Sequence, residues 1–409
     1  MSDKARLSAF YAVKRIFGGA YSNLITEFDG LNGLDRAFAE RIALGTLERK
    51  ITLETVLSNY VKKQTDTDIL YLIMTGIYQI LYMDRVPDSA ACDETVNIAK
   101  EVFGRKNSGF VNAVLRNVAR SKQKILENLD NSEGYIKYSA NKELFELIQS
   151  QYGDDTEKIF ESFFGNKPLF LRVNTLKSNA TSVADEIGGT VISETTVVAE
   201  NSQKVIEKIS DGNFYIQGLA SQKAVKLLDA KPGHTVIDVC ACPGGKSLGA
   251  AIDMQNKGHI YSFDLHKNKL PLIQKSAEML GISIIETQVN DARRTVDSLI
   301  GTADRVICDV PCSGTGVMGS KPEIKYKSPD EFKGLYPTQK AIINSASKYL
   351  KVGGIMVYST CSVNKIENED NVRDFLENNN NFRLIEEKTY LPYGEEFEGF
   401  YTAKIIREK

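Results

Sequence analysis

The sequence predicts a multidomain protein in which an all-α bundle and a small α/β subdomain precede a Rossmann-like α/β domain. The chain has 409 residues, which is long for one ordinary domain, so two or three are expected. Over residues 1 to about 125, apolar side chains recur at helical spacing. From residue 222 onward, short β-rich runs alternate with helical segments, which is the pattern of a mostly parallel, doubly wound sheet.

Composition narrows the class of protein before any motif is considered. The chain is 42% hydrophobic and 25% charged, as in ordinary globular proteins, and its formal net charge of −2 gives no global attraction for nucleic acid. No apolar run reaches the length of a membrane span, and no signal peptide precedes the first helical pattern. Six unpatterned cysteines favour free thiols in a reducing compartment. We therefore expect a cytoplasmic protein without a membrane partner.

The first domain, residues 1–139, is predicted to be helical. Its most apolar face ends at Pro87 and comprises Leu70, Ile73, Met74, Ile77 and Leu81. A local excess of positive charge follows, opposed in its span only by Glu101. It comprises Lys100, Arg105, Lys106, Arg116, Arg120, Lys122 and Lys124. Such a run is either a solvated helix face or a contact surface for nucleic acid.

Residues 140–221 predict a small α/β subdomain. A strand is expected at Leu169–Asn174, a helix near Val183–Ile187, and further strands near Val191 and Val205.

The last domain, residues 222–409, carries five predicted strands and a closing one. The closing segment, 400–406, is predicted to be an edge strand, and helices are expected at 267–280 and 338–350. The five strands are placed at 235–239, 259–263, 284–287, 305–309 and 355–359.

The loop after the first of these strands is the candidate cofactor site. Gly244 and Gly245 permit a sharp turn and close approach of a ligand, and amides at a helix N-terminus attract a negative group. The spacing matches neither the dinucleotide fingerprint nor a P-loop. Asp264 and Asp291 follow the next two strands, where they could meet a ribose and an adenine. Together these positions favour S-adenosylmethionine, with contacts from Cys240, Ala241, Cys242, Pro243, Gly244, Gly245, Lys246, Asp264, Asp291 and Asp309.

Two cysteines, Cys312 and Cys361, each stand in a turn directly after a short apolar run. The carboxyl ends of strands are where open α/β sheets bind ligands, so the two thiols are expected to share a pocket. A disulfide, a metal site, or a nucleophile with its helper are the three readings. A reducing compartment disfavours the disulfide, and the spacings of Cys240, Cys242, Cys308 and Cys312 depart from those of zinc ribbons, so no metal is expected.

Two sets of motifs resemble known families. Gly109–Asn117 and Ala43–Arg49 resemble the RNA-binding NusB-type domain. Cys240–Lys246, Asp309–Gly316 and Ser359–Ser362 resemble the cofactor, Pro-Cys and Thr-Cys motifs of the NOL1/NOP2/Sun RNA 5-methylcytosine methyltransferases. With the helical domain in front, the resemblance narrows to the RsmB (Sun, Fmu) type, which acts on small-subunit ribosomal RNA.

The chain departs from that family at two points. Within the entry motif Gly212–Ser221, Gly218 stands where the family usually has Asp, so that carboxylate is absent or displaced. The segment Gly319-Ser320-Lys321 replaces the usual Arg-Arg-His before Pro322.

The resemblance implies a class I methyltransferase that forms 5-methylcytosine in 16S rRNA with S-adenosylmethionine. Spacing alone leaves open which cysteine attacks the base; the RNA family implies Cys361 as nucleophile, Cys312 as helper in release and Asp309 beside the base. Lys246 is expected either to orient the carboxylate or base, or to face solvent. Contacts to RNA are expected from Arg105, Lys106, Arg116, Arg120, Lys321 and Lys325.

Two other functions stay open at this stage. The same chemistry on tRNA or another RNA would use the same motifs. Alternatively, the protein would be a NusB-like RNA-binding or antitermination factor whose methyltransferase domain is vestigial. In each case a monomer is expected.

Overall fold

The computed structural model describes residues 3–19, 28 and 30–409 and divides into two compact units. The helical unit consists of Met1–Phe164 and a second segment, Met318–Pro329. The sheet unit consists of Gly165–Val317 and Asp330–Lys409. In the described part of the chain, no helix is long and apolar enough to cross a membrane.

The helical unit is built around one very apolar helix, as its sequence pattern predicts. Leu72, Ile73 and Ile77 of this helix are inaccessible to solvent, and the side chain of Asp66 accepts a hydrogen bond from the Asp68 amide at its start. The described helices are α1 (Lys4–Phe17), α2 (Gly33–Glu48), α3 (Lys50–Ser58), α4 (Thr67–Tyr82), α5 (Asp88–Phe103), α6 (Arg105–Arg120), α7 (Lys122–Asp130), α8 (Gly134–Lys137), α9 (Lys142–Tyr152) and α10 (Thr156–Glu161).

The helical unit is larger than the predicted helical domain, residues 1–139. Helices α9 and α10, which the sequence assigns to the α/β subdomain, belong to the helical unit. A 3₁₀ helix from the C-terminal half, Pro322–Tyr326, also belongs to it. The chain therefore enters the helical unit twice.

The small subdomain contains an antiparallel four-stranded sheet in the order β2-β3-β1-β4. The predicted strand near Val205 is wrong, because this residue lies in a helix that the side chain of Asn201 caps. Val205 is the single buried residue of that helix, so one apolar position was misread as a strand. The elements are β1 (Leu169–Val173), α11 (Ala180–Ile187), β2 (Gly189–Ser193), β3 (Thr196–Ala199), α12 (Ser202–Lys208) and β4 (Phe214–Ile216).

The large sheet has seven strands in the order β10-β11-β9-β8-β5-β6-β7. The five strands of this sheet that pair in parallel are the five predicted from the sequence, so the predicted α/β class is confirmed. The elements are α13 (Leu219–Leu228), β5 (Thr235–Asp238), α14 (Gly245–Asp253), β6 (His259–Asp264), α15 (Leu270–Leu280), β7 (Ile285–Val289), β8 (Ala303–Asp309), α16 (Leu335–Ser347), β9 (Leu350–Thr360), α17 (Glu369–Asn378), β10 (Phe382–Tyr390) and β11 (Phe400–Arg407).

Two predictions about the end of this sheet are corrected. Strand β11 is not an edge strand, because it pairs antiparallel with both β9 and β10. The edge strand on this side of the sheet is β10. Its charged run Glu386-Glu387-Lys388 interrupts the alternation of apolar and polar residues, so the sequence pattern does not predict a strand there. The predicted helix 338–350 ends at Ser347 instead, because β9 begins at Leu350.

Candidate active site

The Cys312 and Cys361 thiols come together beyond the carboxyl ends of two neighbouring parallel strands. Asp309 ends β8 and lies in register with Ser359 of β9, and the two sulfur atoms are 3.0 Å apart. Neither cysteine takes part in a disulfide, and the same holds for the other four cysteines, all of which lie in the described part of the chain. The hydrogen bond to Cys361 and the loss of hydration at this half-buried position raise the pKa of Cys312 well above its ordinary value. The arrangement pairs two thiols, of which Cys312 strongly retains its proton.

An ion pair lies at the end of the same two strands. The Nζ atom of Lys246 is 2.7 Å from Oδ2 of Asp309, and Ser359 Oγ donates to Oδ1 at 2.6 Å. Lys246 Nζ also donates to Ser221 Oγ at 3.3 Å. Burial acts to lower the pKa of Lys246, but the adjacent Asp309 carboxylate reverses this effect and raises the pKa above its ordinary value. Lys246 therefore faces the site as a cation and does not face solvent.

The glycine turn that leads into α14 has the expected conformation. Gly244 caps the helix with φ +110°, and a Cβ there would lie 3.2 Å from Cγ1 of Ile273. The Gly245 carbonyl accepts hydrogen bonds from Tyr215 Oη at 2.9 Å and Gln217 Nε2 at 3.0 Å. These bonds fix the turn from the neighbouring subdomain without using its amides.

The two acidic residues follow adjacent strands, as predicted. Asp264 pairs in register with Val289, the last residue of β7, so Asp291 lies two residues beyond that pairing. Arg293 contacts both oxygens of Asp291, at 2.9 and 2.7 Å, and these hydrogen bonds lower the pKa of that carboxyl to about 2. Asp264 accepts a hydrogen bond from the His266 amide at 2.8 Å.

The remaining thiols near the glycine turn are strongly protonated. Burial raises the pKa of Cys240 and Cys308 well above the ordinary value. Burial, together with the Asp264 carboxylate, raises the pKa of Cys242 to about 12. Such thiols are poor nucleophiles at neutral pH. Among the residues that the structure describes, no group of three or more His, Cys, Asp or Glu is placed to hold a metal ion.

A carboxylate that the sequence analysis missed lies where a side chain of residue 218 would be. A Cβ on Gly218 would lie 2.3 Å from Oε1 of Glu398. Gly218 precedes α13 without a side-chain cap. Burial raises the pKa of the Glu398 carboxyl above its ordinary value, while Lys246 and the backbone amides of Ala220 and Ser221 act to lower it. Those amides are the ones an N-cap aspartate would satisfy. The carboxylate expected at 218 is therefore displaced to Glu398, a residue without any local sequence signal.

Comparison with known proteins gives a family match for each of two separate parts of the chain. The profile of the 16S rRNA methyltransferase RsmB/F family matches residues 225–406, and the NusB family profile matches residues 3–120. The probable ribosomal RNA small subunit methyltransferase B of Bacillus subtilis is 33% identical over 386 residues, covering 89% of this chain and 86% of the relative. The ribosomal RNA small subunit methyltransferase B of Serratia proteamaculans is 30% identical over 91% of both chains.

This chain belongs to the ribosomal RNA small subunit methyltransferase B family. The crystal structure of PH0851 shares the fold over the full length, with a TM-score of 0.82, 24% identity and coverage of 100% of this chain and 99% of that one. NSun6 from Pyrococcus horikoshii with SFG covers 66% of this chain and 98% of its own, with a TM-score of 0.59 and 22% identity. The resemblance drawn from the motifs is thus confirmed, and the protein is an rRNA methyltransferase by family.

In this family member, helix α6 lies at the end of the NusB-matched part and divides cleanly into two faces. Val111, Val114, Leu115 and Val118 are buried. The four predicted RNA-contacting residues of α6 are all exposed and share the opposite face at helical spacing; they are Arg105, Lys106, Arg116 and Arg120. Arg116 also pairs with exposed Asp93 at 2.5 Å.

The two lysines predicted to line the RNA path after the Pro-Cys motif have different surroundings. Lys321 is exposed. Lys325 is only 1% exposed and lies inside the helical unit, so its predicted contact with phosphate is wrong. Its Nζ donates to the carbonyl oxygens of Glu48 at 2.6 Å and Tyr138 at 3.2 Å. A basic residue in a loop predicts an exposed charge, but Lys325 instead holds this loop against the helices through its hydrogen bonds to two carbonyl groups.

Proposed function

We propose that this protein methylates C5 of a cytosine in 16S rRNA, using S-adenosylmethionine and a covalent bond from Cys361 to C6. The observation that carries this proposal is the pair of thiols 3.0 Å apart, next to the Lys246–Asp309 ion pair. C5 of cytosine is a weak nucleophile until a group adds at C6, and a thiolate both adds readily and leaves readily. Membership of an rRNA methyltransferase family supports the substrate class.

The residues around the glycine turn fit S-adenosylmethionine. The segment Cys240–Lys246 forms the turn into α14, and Asp264 and Asp291 follow the next strands at the same edge of the sheet. When bound, this cofactor supplies an electrophilic methyl group. Asp309 would then lie between the cofactor side and the base side of the site, since Lys246 reaches it from the glycine turn.

Cys361 is the better nucleophile of the pair because Cys312 is held protonated. Attack by the Cys361 thiolate forms the C6–S bond, and N3 of the base takes up a proton. Asp309 relays a proton from solvent to N3, while the adjacent Lys246 ammonium keeps its own proton and stabilises the Asp309 carboxylate. These two residues thus make C6 electrophilic when sulfur attacks.

The second half of the reaction restores the aromatic base. With S-adenosylmethionine bound beside the glycine turn, the cofactor would supply the methyl group that C5 acquires. C5 then passes its proton to a water molecule, the C6–S bond breaks as the C5–C6 double bond re-forms, and Cys361 leaves as a thiolate while the N3 proton returns through Asp309. Cys312, in contact with Cys361, assists this release.

The RNA must present the target cytosine unstacked, because C5 and C6 are inaccessible inside a helix. We assign the exposed face of α6 to the phosphate backbone, through Arg105, Lys106, Arg116 and Arg120, with Lys321 as a further contact. The names of the relatives support small-subunit rRNA as the partner.

Covalent trapping tests the division of labour between the cysteines. Cys312→Ala should accumulate a protein–RNA adduct that survives denaturing electrophoresis, because addition proceeds and release does not. Cys361→Ala should form none, and Cys92→Ala, a buried thiol of the helical unit, should behave as wild type. An adduct formed by Cys361→Ala would overturn the assignment of the nucleophile.

Bisulfite sequencing of cellular RNA, with and without the gene, tests the substrate. Loss of one protected cytosine in 16S rRNA is expected. A change confined to tRNA would transfer the same chemistry to another RNA. No change in any RNA would favour the alternative of an RNA-binding factor with a vestigial domain.

A further inference from the structure

Glu367 lies in the loop between β9 and α17 and is fully buried. Five hydrogen bonds reach its carboxylate, all from neutral donors, at distances of 2.5 to 3.4 Å. The donors are the Ser313 amide and Oγ, Ser362 Oγ, Gln339 Nε2 and Asn364 Nδ2. Burying a charged group is unfavourable unless hydrogen bonds replace its hydration. Five donors meet that condition, so the site is built to hold a carboxylate.

The donors come from the turns that carry both thiols. Ser313 follows Cys312 directly, and Ser362 follows Cys361 directly. Oε2 of Glu367 accepts from Ser313 Oγ at 2.5 Å and from Ser362 Oγ at 2.7 Å. The two hydroxyls are themselves 3.1 Å apart. One carboxylate oxygen therefore ties together the immediate neighbours of the two reactive residues.

The sheet alone does not fix the distance between the thiols. Strand β8 ends at Asp309, three residues before Cys312, and the last ladder contact joins the Val310 amide to Ser359 at 3.1 Å. On the far side of the turn, the Gly316 amide donates to the Cys361 carbonyl at 3.0 Å. Between these two links, Ser313 forms hydrogen bonds with Glu367, Ser362 and Thr315.

We propose that Glu367 is a positioning residue that sets the relative placement of the Cys312 and Cys361 thiols. It touches neither base nor cofactor and acts through Ser313 and Ser362. The proposal deepens the proposed function, because the thiol pair matters only if both sulfurs take part in one reaction. A sub-ångström shift of reacting groups lowers rates strongly, so positioning alone can be decisive.

The test uses Glu367→Gln, which keeps the shape of the side chain but replaces one acceptor oxygen by an NH₂ group. We expect kcat for RNA methylation to fall by about tenfold or more, while KM for RNA and for S-adenosylmethionine changes by less than about threefold. Glu396→Gln is the matched control, since Glu396 is also buried and in the sheet unit but pairs with Lys223. It should leave kcat within about twofold of wild type.

A second readout measures thiol placement without RNA or cofactor. Phenylarsine oxide binds tightly only where two thiols can bond one arsenic atom, so its affinity reports their spacing. The component of tight binding that disappears in Cys312→Ala is the one that the Cys312–Cys361 pair provides. In Glu367→Gln that component should weaken by about tenfold, because the second thiol is no longer held within reach of the first. Glu396→Gln should retain it.

The outcomes separate this proposal from the proposed function. Unchanged kcat and unchanged arsenical affinity in Glu367→Gln would overturn the positioning role, as would a loss of kcat with full arsenical affinity. If wild type forms no 5-methylcytosine while the arsenical affinity of Glu367→Gln falls, the proposed reaction fails but the positioning role stands. Should Glu367→Gln not fold, the double variant Ser313→Ala/Ser362→Ala, which leaves the carboxylate in place, decides by the same two readouts.

Discussion

Lys246 and Lys325 are two lysines withdrawn from solvent, one in the sheet unit and one in the helical unit, and their surroundings shift their pKa values in opposite directions. Lys246 lies 2.7 Å from the Asp309 carboxylate, which raises its pKa despite burial. Lys325 faces two carbonyl oxygens and lies 4.3 Å above the Phe164 ring, and burial lowers its pKa to about 7. Lys246 is a partly buried cation with a carboxylate counterion. Lys325 is a buried amine that donates to two carbonyl oxygens.

This difference separates a reactive site from an anchor. A carboxylate next to a partly buried ammonium gives the pair that the proposed reaction uses beside the base. Carbonyl oxygens and an aromatic ring only hold the amine in place. Lys325 thus fixes the second segment of the helical unit, Met318–Pro329, together with Tyr326, which donates to the Leu47 carbonyl. In the proposed function Lys246 takes part in the reaction, whereas Lys325 holds a segment of the helical unit in place.

The largest expected effect separates the two lysines by activity. Lys246→Met removes the cation beside Asp309, so kcat for transfer of a labelled methyl group to 16S rRNA should fall by about 100-fold or more. Lys325→Met, an equally sized change in the helical unit, should stay within about threefold at saturating RNA. Equal losses in both variants would show that the comparison is wrong. Thermal unfolding of each variant establishes that the protein is folded.

The next effect concerns stability and pH. The pKa of Lys325, about 7 in the folded protein against 10.5 for an ordinary lysine, means that the folded chain binds fewer protons between these values. Stability should therefore rise with pH across this window, and the destabilisation is complete below pH 7 and absent above about pH 10.5. In Lys325→Met this rise should disappear. Hydrogen-exchange protection of α2 and α3 amides, compared between the two proteins at pH 7 and 9.5, measures it.

Exposed lysines control for general titration in that experiment. Lys63→Met, in the exposed stretch after α3, should keep the wild-type pH dependence. If the hydrogen-exchange protection of Lys325→Met still increases with pH as in wild type, a group other than Lys325 causes the pH dependence. At every pH the variant also lacks the hydrogen bonds to Glu48 and Tyr138, and each unsatisfied carbonyl costs about 1–3 kcal/mol.

The sequence predicts the elements whose signal is local. Strands β5, β6 and β8 are short apolar runs bounded by turn residues, and the cysteine turns follow directly from two such runs. Strand β10 was missed because an exposed edge tolerates charged residues that break the apolar alternation. The helix at Val205 was misread because a seven-residue helix with one buried position has too little periodicity.

The contacts that support the site lie beyond such reasoning because they join distant parts of the chain. Glu367 and Ser313 are 54 residues apart, and Lys325 and Glu48 are 277 apart. The Glu398 carboxylate occupies the space beside Gly218, although no sequence motif links residues 218 and 398. The aspartate missing from the motif is nevertheless a usable signal, since it indicates that the carboxylate is either absent or displaced.

The smallest expected effect tests which basic residues contact RNA. Arg105→Ala/Lys106→Ala removes two exposed cations from α6, so affinity for an rRNA fragment should fall by several-fold and the salt slope by about 1 to 2. Lys62→Ala/Lys63→Ala removes the same charge from another exposed part of the helical unit and should change neither quantity. Lys325→Met should also leave the slope unchanged, because a lysine that is 1% exposed releases no counterion. A lower salt slope of RNA binding in Lys325→Met would show that Lys325 contacts RNA, and the distinction drawn between Lys325 and Lys246 would then be wrong.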